Sequence, residues 1–318
     1  MNKNTCIGLG TAAIGRPQYI NIKQQAKAPF DLAEFKQQGL AMLDFAYATG
    51  IRYFDTAPGY GLAEQLLIEW LSMQNDPSIT VATKWGYTYA ADFIPNAKVH
   101  EIKNHTLEKL NEQWKVSKQL LPYLKYYQIH SATLDTGVLE NKAVLEQLYQ
   151  LKKENNLKVG LTTTGSNQTE VLKRALDVHF AGEPLFEVFQ CTYNILDQSI
   201  LSLGKRIVKE RKQLVLKEVL ANGRLFPNPN YPNYSALYVK LEGLSKKYGV
   251  GVDAVILQYC IKTIEGAMVL SGANKTEHLE QNLKAANFQL SPEEIVELSQ
   301  FKTPPITYWE ERKQLAWN

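Results

Sequence analysis

Four polar side chains stand at the ends of short apolar runs, or just beyond them, and could together move a proton. Asp55, Lys84 and His130 each end or directly follow such a run, and Tyr60 follows Asp55 in a turn. A phenol can protonate a carbonyl oxygen, a nearby ammonium favours the phenolate, and a buried ammonium needs a carboxylate partner. An imidazole can hydrogen-bond the same oxygen. These residue types predict an enzyme that delivers a proton to a carbonyl group.

Each of the four residues also has a purely structural interpretation. Asp55 could cap a turn, and Lys84 could be a solvated loop residue. Tyr60 could belong to the core or its rim, and His130 could stand at the entry to a helix. Their shared position at the ends of successive apolar runs favours the chemical interpretation over four separate structural ones.

Eight short segments have the apolar character of strands that are buried on both faces. They lie at residues 5–10, 53–55, 79–83, 126–130, 158–161, 188–192, 213–217 and 267–270. Amphipathic helical patterns stand between several of them, at residues 30–49, 143–155 and 237–248. Strands that alternate with helices predict right-handed βαβ units and a parallel sheet.

Eight such units favour a closed (β/α)8 TIM barrel, and an open doubly wound sheet is the alternative. No low-complexity tract divides the chain, so we expect residues 1–318 to form a single domain with long loops at the C-terminal face. Barrel enzymes carry their sites at this face. We expect the aromatic-containing stretches 86–99, 221–233 and 302–318 to form pocket walls. The expected substrate-pocket residues are Trp85, Tyr308 and Trp309.

The composition excludes several classes of partner. The 35 basic and 32 acidic residues give a net charge of +3, so we expect no nucleic-acid or membrane partner. The N-terminus lacks a secretory signal, and no run reaches the ~20 apolar residues that cross a bilayer. The three cysteines, Cys6, Cys191 and Cys260, indicate reduced thiols and a cytoplasmic protein. We expect no metal site.

Three motifs carry a resemblance to a known family. Residues 54–61 read Phe-Asp-Thr-Ala-Pro-Gly-Tyr-Gly, Thr83 precedes Lys84, and residues 127–130 read Tyr-Gln-Ile-His. In this order they resemble the aldo-keto reductase superfamily, and the resemblance extends from Ile7 to Asn282. It implies an (α/β)8 barrel, a nicotinamide cofactor bound without a Rossmann fold, and reduction of an aldehyde or ketone to an alcohol, or the reverse. The sequence has no Gly-x-Gly-x-x-Gly fingerprint opening a βαβ unit, which agrees.

The resemblance also implies roles for the four residues. Tyr60 is the general acid in reduction and the base in oxidation, Lys84 and Asp55 tune it, and His130 orients the carbonyl. The implied substrate is a small carbonyl compound. The aromatic residues of 86–99 and 302–318 separately suggest an apolar or a sugar-stacking pocket, without choosing between the two, and so leave a sugar-like substrate open. The implied cofactor is a nicotinamide nucleotide that supplies the hydride, with NADP(H) favoured over NAD(H).

The implied cofactor contacts depart from the family pattern at several positions. Thr162 and Thr163 replace a Ser-Asn pair, and Lys217 begins the segment where many members place a stacking aromatic residue. Lys275 could bind a 2′-phosphate, while His278 stands where many NADP-preferring members have arginine. The full set is Gly10, Thr11, Thr162, Thr163, Gln190, Lys217, Val219, Leu220, Gly223, Arg224, Ser271, Gly272, Ala273, Lys275, His278 and Asn282.

Two rival functions remain open on the sequence. The first is a nicotinamide-nucleotide-binding regulatory module with little turnover. The second is a lyase or aldolase barrel in which Lys84 forms a Schiff base with a carbonyl substrate. A salt-bridged Lys84 would be a poor nucleophile, and the presence of all four relay residues argues against a module without turnover.

Overall fold

Eight parallel strands close into a barrel in the computed structural model, which describes residues 6–18, 20–22, 30–94 and 97–317. Each strand pairs with its neighbours in the chain, and the last pairs with the first. The (β/α)8 prediction is therefore confirmed, and the open sheet is excluded. The strands are β1 Ile7–Gly10, β2 Tyr53–Asp55, β3 Thr80–Trp85, β4 Leu124–Ala132, β5 Lys158–Thr163, β6 Val188–Thr192, β7 Gln213–Lys217 and β8 Met268–Ser271.

Helices surround the barrel, and several begin at a capping side chain: Asp31 accepts from the Glu34 amide and Asn141 from that of Val144. The α-helices are Ala12–Gly15, Leu32–Ala48, Ala63–Leu71, Leu107–Ser117, Lys142–Asn155, Gln168–Leu176, Leu201–Lys209, Ser235–Tyr248, Val252–Thr263, Thr276–Leu283, Pro292–Ser299 and Pro305–Lys313. Short 3-10 helices lie at Pro58–Tyr60, Lys118–Leu120, Leu134–Thr136, Ala221–Gly223, Pro232–Tyr234 and Lys284–Asn287.

Two antiparallel hairpins lie outside the barrel. One pairs Tyr87–Tyr89 with Glu101–Lys103, in the connection after β3, and the other pairs His179–Phe180 with Glu183–Pro184. The sequence analysis predicted neither hairpin. The first matters for the site, because it brings Glu101 to the C-terminal face of the barrel.

The predicted strands all correspond to barrel strands, with small differences at their ends. β3 and β4 are longer than predicted, since β3 continues to Trp85, which pairs with Ile129, and β4 continues to Ala132, which pairs with Thr163. The first residue of the predicted first strand, Thr5, lies outside the described residues. The three predicted helices are present as Leu32–Ala48, Lys142–Asn155 and Ser235–Tyr248.

The strand period of two explains how the barrel presents its polar residues. An apolar cluster joins residues of β2, β3, β6, β7 and β8, and strands so far apart around the barrel meet only in its interior. Residues two positions further along a strand share that face. On four strands that next residue is polar. The pairs are Tyr53 and Asp55, Ala82 and Lys84, Val188 and Gln190, and Val215 and Lys217.

Polar groups thus stand above an apolar floor at the C-terminal ends of the strands. A larger apolar cluster fills the space between the strands and the helices. Cys6, Cys191 and Cys260 are free thiols. Within the described ranges, no helix has the length and apolar character needed to cross a bilayer.

Candidate active site

A buried carboxylate links three strands at the top of the barrel. Lys84 donates to Asp55 Oδ1 at 2.5 Å and to the Thr56 carbonyl at 2.9 Å. Gln190 donates to the other oxygen, Asp55 Oδ2, at 2.7 Å. Lys84 is fully buried and Asp55 is 2% exposed. Both oxygens of Asp55 are therefore used, and the Lys84 ammonium is held in one place by an ion pair.

Tyr60 stands above this ion pair. Its hydroxyl lies 3.5 Å from His130 Nε2, and the Lys84 ammonium lies 4.8 Å from the centre of its ring. Tyr60 is the last residue of the short 3-10 helix Pro58–Tyr60, which follows β2. Gly61 follows with φ of +63°, and a side chain there would collide with the Gly15 carbonyl oxygen. The glycine after Tyr60 is thus required by the turn that aims the phenol into the barrel mouth.

His130 lies where β4 becomes irregular. The register between β4 and β5 shifts after Ile129, and Ser131 has φ of +49°. Ser131 N donates to Thr162 Oγ1 at 2.7 Å, which stabilises this bulge. Bulges commonly redirect side chains beside active sites. The His130 ring meets Tyr60 edge-on and packs against Tyr87 at 4.6 Å.

The protonation states follow from burial and charge. Burial raises the pKa of Tyr60 well above its usual range, and Asp55 raises it further, while Arg16 lowers it. The net direction of the Tyr60 pKa is opposite to the lowering expected from Lys84 alone, because burial, the largest effect, raises it and the Asp55 charge acts in the same direction. Burial and the nearby cations, Lys84 first among them, bring the pKa of His130 well below its usual value. Tyr60 is therefore a phenol and His130 a neutral imidazole near pH 7.

Tyr60 and His130 open into a pocket whose walls are mostly polar. The apolar residues among those that line it are Ile20 and Trp317. The lining residues are Arg16, Ile20, Tyr60, Glu101, His130, Ser131, Thr162, Thr164, Gln190, Lys217, Glu218, Arg312 and Trp317. The structure thus brings Tyr60, His130, Thr162, Gln190 and Lys217 together around one space, with Asp55 and Lys84 directly behind Tyr60.

Two ion pairs in these walls were missed by the sequence analysis. Arg16 lies 2.5 Å from Glu101 and 5.2 Å from the centre of the Tyr60 ring. Arg312 binds both oxygens of Glu218, at 2.5 and 2.9 Å. Glu101 comes from an unpredicted hairpin and Arg312 from the last helix, so no local pattern marks them. Glu218 directly follows β7, and that position is the signal that could have identified it, whereas Arg16 follows the short helix Ala12–Gly15 after β1.

The pocket has a donor set that fits the carboxamide of a nicotinamide. Gln190 uses its amide nitrogen on Asp55, which leaves its carbonyl oxygen to accept. Thr162 accepts from the Ser131 amide, which leaves its hydroxyl hydrogen to donate. One acceptor and one donor on adjacent strands match the amino group and the oxygen of a carboxamide. Both residues are about 1% exposed, so they would hold such a group away from water.

Other predicted cofactor contacts surround this space at the C-terminal face. Gly10, Leu220 and Gly223 remain partly exposed there, in β1 and in the segment after β7. The Val219 side chain, by contrast, is 3% exposed and belongs to the apolar core. Only its backbone is therefore placed to meet a ligand.

Two predicted contacts are corrected because their hydroxyl groups serve the protein. Thr163 is fully buried and donates to Gln168 Oε1 at 3.2 Å, on the outer side of β5. The alternation of side chains along the strand turns it away from its neighbour Thr162. Thr11 is fully buried and donates to the Asp55 carbonyl at 2.9 Å. It ties β1 to β2 instead of lining the pocket.

Arg224 is corrected for a similar reason. It is fully buried, donates to the Tyr308 carbonyl at 2.9 Å, and lies 3.2 Å from Glu311. Its guanidinium carbon stands 4.1 Å from the centre of the Tyr308 ring. A side chain enclosed in this way fastens the last helix to the barrel and is not available to a pyrophosphate.

The three expected substrate-pocket aromatics are also corrected. Trp85 is fully buried and meets the His105 ring edge-on at 5.6 Å, behind the wall. Tyr308 is fully buried, and its hydroxyl accepts from the Asn194 amide at 3.0 Å. Trp309 donates to Asp197 Oδ2 at 3.1 Å. Trp85 is enclosed by the core, and Tyr308 and Trp309 bond to groups inside the protein, so the three rings support the fold.

The expected walls are partly correct. The described part of residues 302–318 contributes Arg312 and Trp317 to the pocket. The lining contains no described residue of 86–99 or 221–233. Glu101, just beyond the first of these stretches, takes its place.

The segment after β8 offers a different kind of surface. Lys275 precedes the helix Thr276–Leu283 and is exposed, as are His278 and Gly272. Ser271 and Asn282 bond each other at 2.9 Å, and the Asn282 amide donates to Asp253. The expectation that Asn282 faces an adenine is corrected, because its amide is used internally. Ala273 is 8% exposed and donates its amide to Ser271 Oγ.

The Schiff-base alternative is poorly supported by this geometry. A nucleophilic lysine must be unprotonated and reach its substrate. Lys84 is fully buried and paired with Asp55. Within the described parts of the chain, no three His, Cys, Asp or Glu side chains form a group that could hold a metal ion.

Comparison with known proteins agrees with the geometry. Probable aldo-keto reductase 1 of Glycine max is 25% identical over 290 residues, covering 85% of this chain and 80% of that protein. L-galactose dehydrogenase of Arabidopsis thaliana is 25% identical over 262 residues, covering 79% and 78%. The aldo/keto reductase of Klebsiella pneumoniae in complex with NADP and acetate has a TM-score of 0.68 at 21% identity, covering 94% and 92%.

The model of the aldo/keto reductase family matches residues 6–302. That range contains the whole barrel and all four residues of the relay. The chain belongs to the aldo/keto reductase family.

Proposed function

We propose that the protein reduces a small, hydroxylated aldehyde or ketone with NADPH, using Tyr60 as the proton donor. One observation carries the proposal. The Tyr60 hydroxyl and His130 Nε2 lie 3.5 Å apart and face a pocket that also contains Thr162 and Gln190. A carbonyl oxygen placed between the first two would receive two hydrogen bonds from a phenol and a neutral imidazole.

The protein's own part in the reaction is proton delivery. Tyr60 is protonated near pH 7 because burial raises its pKa, so it can donate its proton to the developing alkoxide. The phenolate that remains is stabilised by the Lys84 ammonium beneath its ring, whose position Asp55 fixes. His130, as a neutral donor at Nε2, orients the carbonyl.

A nicotinamide cofactor, when bound, supplies the hydride. The hydroxyl of Thr162 and the carbonyl oxygen of Gln190 would hold its carboxamide beside Tyr60 and His130. The low exposure of both residues limits competition from water for these hydrogen bonds.

Lys275 supports a preference for NADPH over NADH. It stands exposed at the N-terminus of the helix Thr276–Leu283, where backbone amides and the helix dipole favour an anion. A lysine there adds a point charge for a 2′-phosphate. The Klebsiella pneumoniae relative binds NADP, which agrees with the proposal.

The polar walls support a hydroxylated substrate. Glu101 and Arg16 stand on one side of Tyr60, and Ser131 and Thr164 contribute hydroxyl groups. An apolar substrate would remove water from these groups without replacing its hydrogen bonds, which is costly. Substrate hydroxyl groups would replace them. We also propose that residues 1–318 act as a single domain and that the protein, with its free thiols, is cytoplasmic.

The first experiment is a fluorescence titration with NADPH and, separately, with NADH. We expect saturable binding of both with tighter binding of NADPH, and we expect Lys275→Ala to reduce the difference about tenfold. Lys158→Ala, at the start of β5 on the opposite face of the barrel, is the control and should change neither affinity. Binding of neither nucleotide would contradict the proposal. Turnover of NADPH with a carbonyl substrate then separates a reductase from a regulatory module.

A further inference from the structure

Lys217 places an ammonium group in the wall of the catalytic pocket. It ends β7, two residues after Val215, which faces the barrel interior. Its Nζ donates to Thr192 Oγ1 at 3.1 Å and lies 3.8 Å from Glu218 Oε1. The side chain lines the same pocket as Tyr60, His130 and the carboxamide-binding pair.

The negative charge nearest to Lys217 is shared with a second cation. Arg312 binds both oxygens of Glu218 at 2.5 to 3.1 Å, closer than Lys217 approaches. Glu218 is therefore oriented towards Arg312, and the ammonium of Lys217 is only partly compensated. The Lys217 and Glu218 side chains are 18% and 5% exposed, and charges that are partly buried in this way interact more strongly than they do in bulk water. Burial lowers the pKa of Lys217, and Glu218 opposes that effect.

A positive wall discriminates between the two redox states of a nicotinamide. The oxidised ring carries one positive charge that the reduced ring lacks. A nicotinamide that supplied hydride to a carbonyl held by Tyr60 and His130 would share the pocket with these residues and with Lys217. Repulsion from the ammonium then weakens binding of the oxidised ring and leaves the neutral ring unaffected.

We propose that Lys217 is the residue that makes this site bind NADPH in preference to NADP+. The inference rests on the proposed function, because it requires a nicotinamide beside Tyr60. Its consequence is weak inhibition of carbonyl reduction by the oxidised nucleotide. The oxidised nucleotide competes poorly with NADPH for the site, as suits a protein that works as a reductase.

The test measures affinities and does not depend on turnover. Dissociation constants for NADPH and NADP+ are obtained by fluorescence titration of the wild type, Lys217→Met and Lys217→Arg. We expect the preference for NADPH to fall on the order of tenfold in Lys217→Met, through tighter NADP+ binding. Lys217→Arg keeps the charge and should keep the preference. Lys212→Met, directly before the first residue of the same strand, is the matched control.

Glu218→Gln provides an opposite change. It removes the compensating charge and should weaken NADP+ further while NADPH binding stays nearly constant. Because Glu218 also compensates Arg312, the double variant Lys217→Gln with Glu218→Gln separates the part that passes through Lys217, and Lys217→Gln alone keeps the test decisive if Lys217→Met fails to fold. An unchanged preference in both Lys217→Met and Glu218→Gln would overturn the role of Lys217 while leaving the reductase intact. Loss of all nucleotide binding by the wild type would instead overturn the proposed function and this inference together.

Discussion

Lys84 and Asp55 form a 2.5 Å ion pair inside the barrel, and the second oxygen of Asp55 accepts a hydrogen bond from the Gln190 amide on the opposite side of the barrel. Together these three side chains join β2, β3 and β6 across the barrel interior. Tyr60 rests above the ion pair, with the Lys84 ammonium 4.8 Å from its ring centre. The same contact therefore fixes the strands and positions the charge that a phenolate needs.

Asp55→Asn should lower the stability of the protein. It leaves the Lys84 ammonium buried without its counter-charge, and breaking a buried pair in this way costs about 3–5 kcal/mol. Urea denaturation of the variant measures the free energy of unfolding. The double variant Asp55→Asn with Lys84→Met is the control and should recover part of the loss, because no charge remains buried. Equal stability of the wild type and Asp55→Asn would contradict the buried ion pair.

Tyr60→Phe should remove most of the turnover and leave NADPH affinity nearly unchanged. The change deletes the proton donor and keeps the ring that packs over Lys84, so a loss of about 10²–10⁴-fold in kcat is expected. Tyr87→Phe is a matched control, since Tyr87 packs on the same His130 ring at 4.6 Å but takes no proton-donor role. Near-normal turnover of Tyr60→Phe would mean that another group donates the proton.

The fold was predictable because each barrel strand has a recognisable local sequence pattern. Segments such as residues 188–192 and 213–217 are short, apolar and bounded by polar residues, and they match the observed strands. The hairpin that carries Glu101 was not predictable in this way. Its two strands are only three residues each and partly exposed, so they lack the apolar pattern of a buried strand.

The site was predictable where its residues lie on barrel strands. Asp55, Lys84 and Gln190 meet because successive strand ends meet at one face of a barrel. Arg224 and Trp309 were misplaced because the sequence shows the position of a residue along the chain but not where its side chain points. The assignment of residues 1–318 to one domain and the catalytic role of each residue remain predictions.

Glu64 should make stability depend on pH. Its buried carboxyl accepts from Thr83 and Ser117, and burial raises its pKa from 4.5 to about 7. The folded protein thus holds this proton more tightly than the unfolded chain does. The contribution is complete below pH 4.5 and is lost as the pH rises through 7, by at most about 3 kcal/mol.

The Glu64→Gln variant isolates this effect. Glutamine keeps the volume and the accepting oxygen but does not titrate. Urea denaturation at pH 5, 6, 7 and 8 gives the free energy of unfolding of both proteins. We expect the wild type to lose stability relative to Glu64→Gln across this range. A difference that stays constant would show that Glu64 does not titrate there.

Arg224→Met should destabilise the protein without weakening nucleotide binding. Arg224 is fully buried between the Tyr308 ring and Glu311, so its loss breaks a charge pair and a backbone hydrogen bond. We expect the free energy of unfolding to fall by about 2–3 kcal/mol. Titration with NADPH, at a temperature where the variant is folded, gives the affinity. Weakened binding by a stably folded variant would restore Arg224 as a cofactor contact.

Glu101→Gln should change which carbonyl compounds the protein prefers. Glu101 Oε1 is bound by Arg16 beside Tyr60, which leaves the second oxygen to accept from a substrate hydroxyl. A site built to bond a hydroxyl group discriminates strongly against a substrate that lacks it. We expect the wild type to prefer glyceraldehyde to propanal in kcat/KM, and the variant to lose about tenfold of that preference, since a neutral acceptor bonds more weakly.

Glu183→Gln removes the carboxylate of an ion pair with Lys153 on the other hairpin, and as a control it should leave the preference unchanged. Equal loss of activity on both aldehydes in Glu101→Gln would indicate a role in holding the site together, and an unchanged preference would exclude Glu101 from substrate recognition.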